Sequence, residues 1–260
     1  MPRYPFLDAP LPLAIAHRGA GNAVENSMAA FASVIELGYR YVETDARATA
    51  DGVLLAFHDA TLDRVTNCSG RISALPYATV SRARIAGTEP IPVLSDALGT
   101  WPDVRFNIDV KEAAAVRPLI ELLRRDGVID RVCVTSFSDA RLAAVRSALG
   151  PRLCTSLGPR EAIRLRLASY RVADAGGAQA DAGGSPAAGC AQVPARLGRM
   201  PLADARLVAA AHRRDLQVHV WTVNAEAEMN RLLDLGVDGI MTDDATLLRA
   251  VLEARGQWHG

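Results

Sequence analysis

Short apolar runs alternate with amphipathic stretches along this 260-residue chain, and the alternation keeps its phase from one end to the other. Strand-like runs fall at Leu13–Ala16, Tyr41–Val42, Arg105–Val110, Val132–Ser136, Leu153–Ser156, Cys190–Val193, Val218–Thr222 and Gly239–Thr242. Helical periodicity marks Ser27–Leu37, Val116–Arg125, Ala140–Leu149, Arg160–Ala168, Ala203–Arg213, Glu226–Leu235 and Ala245–Ala254. Strands that follow one another through crossover helices must be parallel, and eight of them predict an α/β chain closed into a (β/α)8 TIM barrel. An open doubly wound sheet fits less well, because no GxGxxG follows the first strand. Half of the residues are hydrophobic, enough for a large core. The Ala/Gly-rich stretch Ala173–Ala188 reads as a surface loop rather than a linker, since the alternation resumes in phase after it. One domain over residues 1–260 is expected.

Three of the apolar runs end in charged motifs: His17-Arg18-Gly19, Glu43-Thr44-Asp45 and Phe57-His58-Asp59. Two histidines, strand-spaced carboxylates and an arginine suit metal-assisted acid–base chemistry on a phosphate. Glu43 and Asp45 are two apart on a strand and leave the same face. Asp51-Gly52 is a hairpin signal between them and the next run. A two-residue turn there pairs Ala50 with Val53 and hence Asp45 with His58, gathering Glu43, Asp45 and His58; a longer turn shifts that register by one. In Asn107-Ile108-Asp109-Val110-Lys111 the polar residues alternate with apolar ones and share a face. A barrel strand does not bury such a row without a purpose, and sites of these barrels lie at the C-terminal strand ends. An isolated Asp–Lys pair is more often a salt bridge, and an isolated buried histidine more often core. Here Glu43, Asp45 and Asp109 converge, and three carboxylates suit one hard divalent cation, Ca²⁺ or Mg²⁺.

Lysine plus arginine equals aspartate plus glutamate at 29 each, so no global field recruits nucleic acid or an anionic membrane. The four cysteines lack CxxC spacing, which makes reduced core thiols the expectation over zinc or disulfides. Neither a signal-like start nor a membrane-length apolar run is present, so a cytoplasmic location without stable membrane association is expected. Oligomeric state has no signature in the sequence.

Several motifs, taken in order, closely resemble the glycerophosphodiester phosphodiesterase family. They are His17-Arg18-Gly19, Glu25-Asn26-Ser27, Glu43-Thr44-Asp45, Asp51-Gly52-Val53, His58-Asp59, Thr61-Leu62-Asp63-Arg64, Asn107 to Lys111, Val220-Trp221-Thr222-Val223-Asn224 and Gly239-Ile240-Met241-Thr242-Asp243. The resemblance runs from about Leu13 to Asp243. It implies a barrel with an inserted segment at about 60–93, and cation-dependent cleavage of glycerophosphodiesters to glycerol 3-phosphate and an alcohol. His17 and His58 match the family's acid–base histidines, and Glu43 and Asp45 match metal ligands. Asp109 falls where many members have glutamate as third ligand, an arm one methylene longer, which bears on metal preference and on direct or water-mediated ligation. Lys111 and Arg18 match phosphate-contacting residues, and Trp221 an aromatic of the substrate cleft. Asp244-Ala245 replaces a proline common after the last motif, with an effect expected only on that loop. Arg40, Asp63, Arg64 and Asn67 read as structural or as supports behind the site residues. Attack by the substrate's own glycerol hydroxyl, through a cyclic phosphate, is favoured over direct attack by water, with the two histidines on opposite sides of phosphorus. A phospholipase D-like hydrolase or lyase acting on lysophospholipids is the alternative. It would need an apolar entrance or a basic amphipathic anchor, and the sequence shows neither plainly. The full set of two histidines and three carboxylates disfavours a catalytically silent phosphodiester-binding protein.

Overall fold

The computed structural model describes residues 3–20, 24–125, 127–171, 187–198 and 200–260. Eight parallel strands form a nearly closed barrel. They are β1 (Leu13–His17), β2 (Tyr41–Ala48), β3 (Arg105–Val110), β4 (Val132–Thr135), β5 (Cys154–Thr155), β6 (Cys190–Pro194), β7 (Gln217–Trp221) and β8 (Gly239–Thr242). Their spatial order is β5-β4-β3-β2-β1-β8-β7-β6. A parallel bridge between Ser156 and Cys190 brings β5 to β6. Pairing of β1 with β8 sets Ala16 opposite Thr242, so the first and last strands end side by side. The Ala/Gly-rich stretch lies outside the described residues except at its end, where Ala188 is buried.

Local chemistry explains the element ends. Ser27 accepts a hydrogen bond from the Ala30 N–H and caps the Met28–Glu36 helix. Asp244 does the same for Ala245–Ala254 through the Leu247 N–H, so the missing proline is replaced by a side-chain cap. A large apolar layer, including Val42, Phe106, Val134, Val218 and Ile240, lies between the sheet and its helices. A second cluster fills the barrel: Ile15, Tyr41, Cys133, Cys154, Cys190 and Met241 pack against Tyr4, Phe6 and Leu7. The short Pro5–Leu7 turn thus plugs the N-terminal end of the barrel, tied by the Tyr41 hydroxyl donating to the Phe6 carbonyl at 2.8 Å. Gly189 leaves room for that plug, because a Cβ there would stand 2.7 Å from the Tyr4 ring. All four cysteines are free. Among the described residues no helix is long and apolar enough to cross a membrane.

The segment after β2 departs from the barrel repeat. Leu54–Ala56 pairs antiparallel with β2, Ala46 opposite Ala56 and Ala48 opposite Leu54. The expected pairing of Asp45 with His58 is therefore wrong by one residue. The loop holds three residues rather than two: the Thr49 and Val53 backbones pair at 3.0 Å, and Gly52 takes φ +84°. Thr49 Oγ1 also accepts from the Val53 N–H at 2.9 Å, which favours the longer loop. Strand alternation would then turn His58 away from Asp45. The strand ends at Ala56, however, and His58 swings back to the barrel mouth. Arg47 holds its carbonyl there, donating from Nε at 2.8 Å. The following segment, predicted as irregular, builds a core of its own around Leu55, Phe57, Leu62, Ile72, Val80 and Ile85.

Candidate active site

A cavity of about 350 Å³ opens at the C-terminal end of the barrel. His17, Arg18, Glu43, His58, Asp109, Lys111 and Trp221 line it. Of the residues expected at the site, Asp45 alone is missing from that wall. It is fully buried behind it, where Asn26 Nδ2 donates to it at 2.8 Å, Arg18 Nε stands 3.3 Å away and Lys111 Nζ 2.8 Å away. Adjacent parallel strands put Asp45 beside Asp109, and Lys111 Nζ also reaches Asp109 at 2.6 Å. Burial alone would raise the Asp45 carboxyl, but Lys111 and Arg18 hold it below the ordinary range. Burial dominates at Asp109, which is raised. Glu43 is pushed up to about 7, first by burial and then by Asp45.

Both histidines are held the same way. His17 Nδ1 lies 2.6 Å from Asp243 Oδ1, and His58 Nδ1 lies 2.6 Å from Asp59 Oδ1. Asp243 is held below the ordinary carboxylate range, chiefly by this bond to His17. Asp59 is lowered to about 2, its bonds to Arg64 and His58 outweighing burial. Ionised carboxylates only accept, so each Nδ1 carries a proton and each Nε2 is left for chemistry. Burial works against protonation of His17, but Glu43, with Nε2 3.7 Å from its Oε2, and the Asp243 bond more than offset it, and its pKa is raised.

Arg18 adopts a left-handed backbone, φ 52°, which costs energy for a residue with a side chain. In that conformation its N–H donates to Glu43 Oε2 at 3.1 Å, while its guanidinium spans Glu25 and Asp45. Gly19 follows at φ +74° and packs so tightly that a Cβ would meet Ala30 at 2.8 Å. Glu25 also binds Arg64, which grips Asp59. A chain of charges thus links Arg18 to His58 through Glu25, Arg64 and Asp59. Arg64, expected as structural or as a support behind the site, takes the supporting position. The sequence reading gave no role to Asp243, Asp59 or Glu25. For Asp243 a signal existed: barrel closure makes β8 the neighbour of β1. On the cavity floor, Asn107 and Gln192 exchange hydrogen bonds at 3.2 and 2.9 Å, so the buried Asn107 amide on β3 is satisfied. The opposite wall is apolar, formed by Phe137, Leu157, Pro159, Ala162, Leu202 and Trp221. Phe137 meets Trp221 edge to face with centroids 5.7 Å apart.

A parallel barrel with paired histidines, a lysine and an arginine at its mouth defines a barrel hydrolase suited to anionic diesters. The model of the glycerophosphoryl diester phosphodiesterase family matches residues 17–247. The chain belongs to that family and is a glycerophosphodiester phosphodiesterase, a hydrolase. It is 39% identical over 251 residues to a Mycobacterium tuberculosis protein named "Probable glycerophosphodiester phosphodiesterase 2", covering 95% of this chain and 93% of the relative. A crystal structure of glycerophosphodiester phosphodiesterase from Agrobacterium tumefaciens superposes with TM-score 0.75 at 23% identity, over 94% of this chain and 100% of that one. An Oleispira antarctica phosphodiesterase in complex with the product sn-glycerol-3-phosphate gives TM-score 0.74 at 20% identity, over 94% and 97%.

Members of this family generally use divalent cations. The donor chemistry here fits one: Glu43, Asp45 and Asp109 offer hard oxygens, and Asp109 Oδ1 is buried without a hydrogen-bond partner. As the side chains stand, no three such donors among the described residues are gathered closely enough to hold an ion, and Lys111 lies between Asp45 and Asp109.

Proposed function

We propose that this chain hydrolyses water-soluble glycerophosphodiesters to sn-glycerol 3-phosphate and an alcohol, with His17 and His58 as its acid–base pair. The observation that carries the reading is one cavity shared by both histidines, Arg18 and Lys111, with each histidine anchored at Nδ1 by a carboxylate. Arg18 and Lys111 draw the diester into the mouth and balance charge that grows on its nonbridging oxygens. One histidine Nε2 accepts the proton of the attacking hydroxyl. The other donates a proton to the departing alkoxide, so the alcohol leaves neutral. With the glycerol 2-hydroxyl as nucleophile the first product is a cyclic phosphate. Water then opens that ring with the proton transfers reversed. Glu43, Asp45 and Asp109 would hold one divalent cation, Ca²⁺ or Mg²⁺, whose bound form supplies Lewis-acid polarisation of the phosphoryl oxygen.

The apolar wall bearing Phe137 and Trp221 supports a second reading, hydrolysis of lysophospholipids. One assay separates the two: purified protein against glycerophosphocholine and lysophosphatidylcholine, with and without EDTA. Turnover of glycerophosphocholine that EDTA abolishes, and that His17→Ala and His58→Ala each lower by roughly 10²-fold or more, is expected. Full activity after exhaustive chelation would refute the cation's part. Near-normal turnover in His58→Ala would refute the acid–base assignment.

A further inference from the structure

Among the described residues, the seven exposed large hydrophobic ones are distributed very unevenly. Leu11 lies at the plugged end, before β1. The other six, Phe137, Ile163, Leu167, Tyr170, Leu197 and Met200, are between 39% and 65% exposed. They sit on three consecutive excursions from the open end, after β4, β5 and β6. Phe137 lies two residues after β4 and lines the cavity. Ile163, Leu167 and Tyr170 stand four and three residues apart on the Pro159–Arg171 helix, one stripe turned outward. That helix begins at the cavity, which Pro159 and Ala162 line. Leu197 and Met200 face each other across a small antiparallel ribbon, Arg196–Leu197 against Met200–Pro201. Its flanks, Pro194 and Leu202, line the cavity too. The apolar half of the active-site wall therefore runs outward into an exposed apolar rim.

Arginines are interspersed with it. Arg160, Arg164 and Arg196 are exposed on the same helix and ribbon, with Arg160 3.8 Å from Asp139. Glu161 and Glu228 lie within electrostatic reach of Arg164 and Arg196, so what the arginines bring to the rim is exposed guanidinium groups beside the apolar stripe, partly balanced by carboxylates. A protein partner seated on the rim would close the mouth, because the rim and the cavity share Phe137 and the first turn of the helix. A fluid lipid surface would instead deliver substrate to it. Apolar side chains flanked by arginines match an anionic lipid surface, where the apolar groups enter the acyl boundary and the arginines meet headgroups.

We propose that this rim docks the enzyme transiently on anionic lipid surfaces, with the cavity facing the headgroup layer. The docking surface stands apart from the catalytic reading. Only its use on lipid-derived diesters rests on that reading. The test is flotation with phosphatidylglycerol/phosphatidylcholine vesicles, compared with phosphatidylcholine alone, for the wild type and two independent variants. Ile163→Asp with Leu167→Asp changes the helix, and Leu197→Asp with Met200→Asp changes the ribbon. The wild type should bind the mixed vesicles, and added salt should weaken the binding. Each variant should lose roughly tenfold in vesicle affinity, since burial of even one such side chain is worth that much. Its kcat/KM on glycerophosphocholine should be unchanged. Absence of wild-type binding, or binding by both variants as tight as the wild type's, overturns the proposal. So does a wild-type dimer that either variant dissociates, because the rim then meets a second copy. Vesicle binding without glycerophosphocholine hydrolysis would uphold the surface and sink the catalytic reading alone.

Discussion

Asp243 offers the sharpest test of how the site works. Its Oδ1 accepts from His17 Nδ1 at 2.6 Å and its Oδ2 from Asn224 Nδ2 at 2.8 Å. An ionised carboxylate satisfies both donors. The amide in Asp243→Asn cannot, because one of its two ends is itself a donor. Whichever way it turns, an N–H meets either the imidazole or Asn224. Loss of a hydrogen bond to a charged group costs about 1.5–3 kcal/mol. The lower figure applies here, since the Asp243 side chain is 37% exposed and water replaces part of what is lost. About 1.5 kcal/mol in the transition state is roughly a tenfold fall in kcat. KM for glycerophosphocholine should move by less than about twofold, because Asp243 is not among the cavity-lining residues and loses no substrate contact. Steady-state kinetics on Asp243→Asn and Asp243→Glu, with circular dichroism as the folding control, makes the measurement. Glutamate should restore part of the loss. A folded Asp243→Asn enzyme with wild-type kcat, or one whose defect lies wholly in KM, refutes the claim that this carboxylate holds His17 for proton transfer.

Lys111→Ala should lower kcat and raise KM together, and in chelator should cost about 3 kcal/mol in urea unfolding, because Asp45 and Asp109 lose the cation they share. Arg64→Ala should show a pH-dependent stability defect. Asp59 is lowered to about 2 in the fold from 3.8, so its pairing contributes fully above pH 4 and disappears as pH falls through 2. The stability gap between wild type and Arg64→Ala should therefore be level at neutral pH and close between pH 4 and 2. A gap that persists at pH 2 would show that Arg64 acts by packing. Gly189→Ala should lower stability by about 1–3 kcal/mol in calorimetry, because its Cβ would stand 2.7 Å from the Tyr4 ring that plugs the barrel.

What the sequence revealed, and what it hid, follows from the range of the interactions involved. Strand–helix alternation is local, so the eight barrel strands were legible from their apolar runs. Spacing of two along a strand is also local, and it brought Asn107, Asp109 and Lys111 to one face. The Asp51-Gly52 hairpin was visible, but its register was not. The same dipeptide serves a two-residue and a three-residue loop, and the Thr49 hydroxyl bonded to the Val53 N–H favours the longer one. One residue of slip should have cost the site His58, yet the strand ends at Ala56 and Arg47 fixes the His58 carbonyl where the cavity needs it. Partners from distant segments were hidden to different degrees. Asp243 beside His17 follows once β8 is recognised as the neighbour of β1. Nothing local pairs Glu25 with Arg64, 39 residues away. The apolar rim was hidden for another reason. Helical spacing of Ile163 and Leu167 is the pattern of a core-facing stripe, and periodicity does not say which stripe faces inward. In this helix the inward positions are Leu165 and Ser169, one a leucine and the other a serine, while the more apolar stripe faces out. A helix that turns its greasier side to solvent gains nothing from it in folding, which is the physical reason to look for that stripe's use in binding.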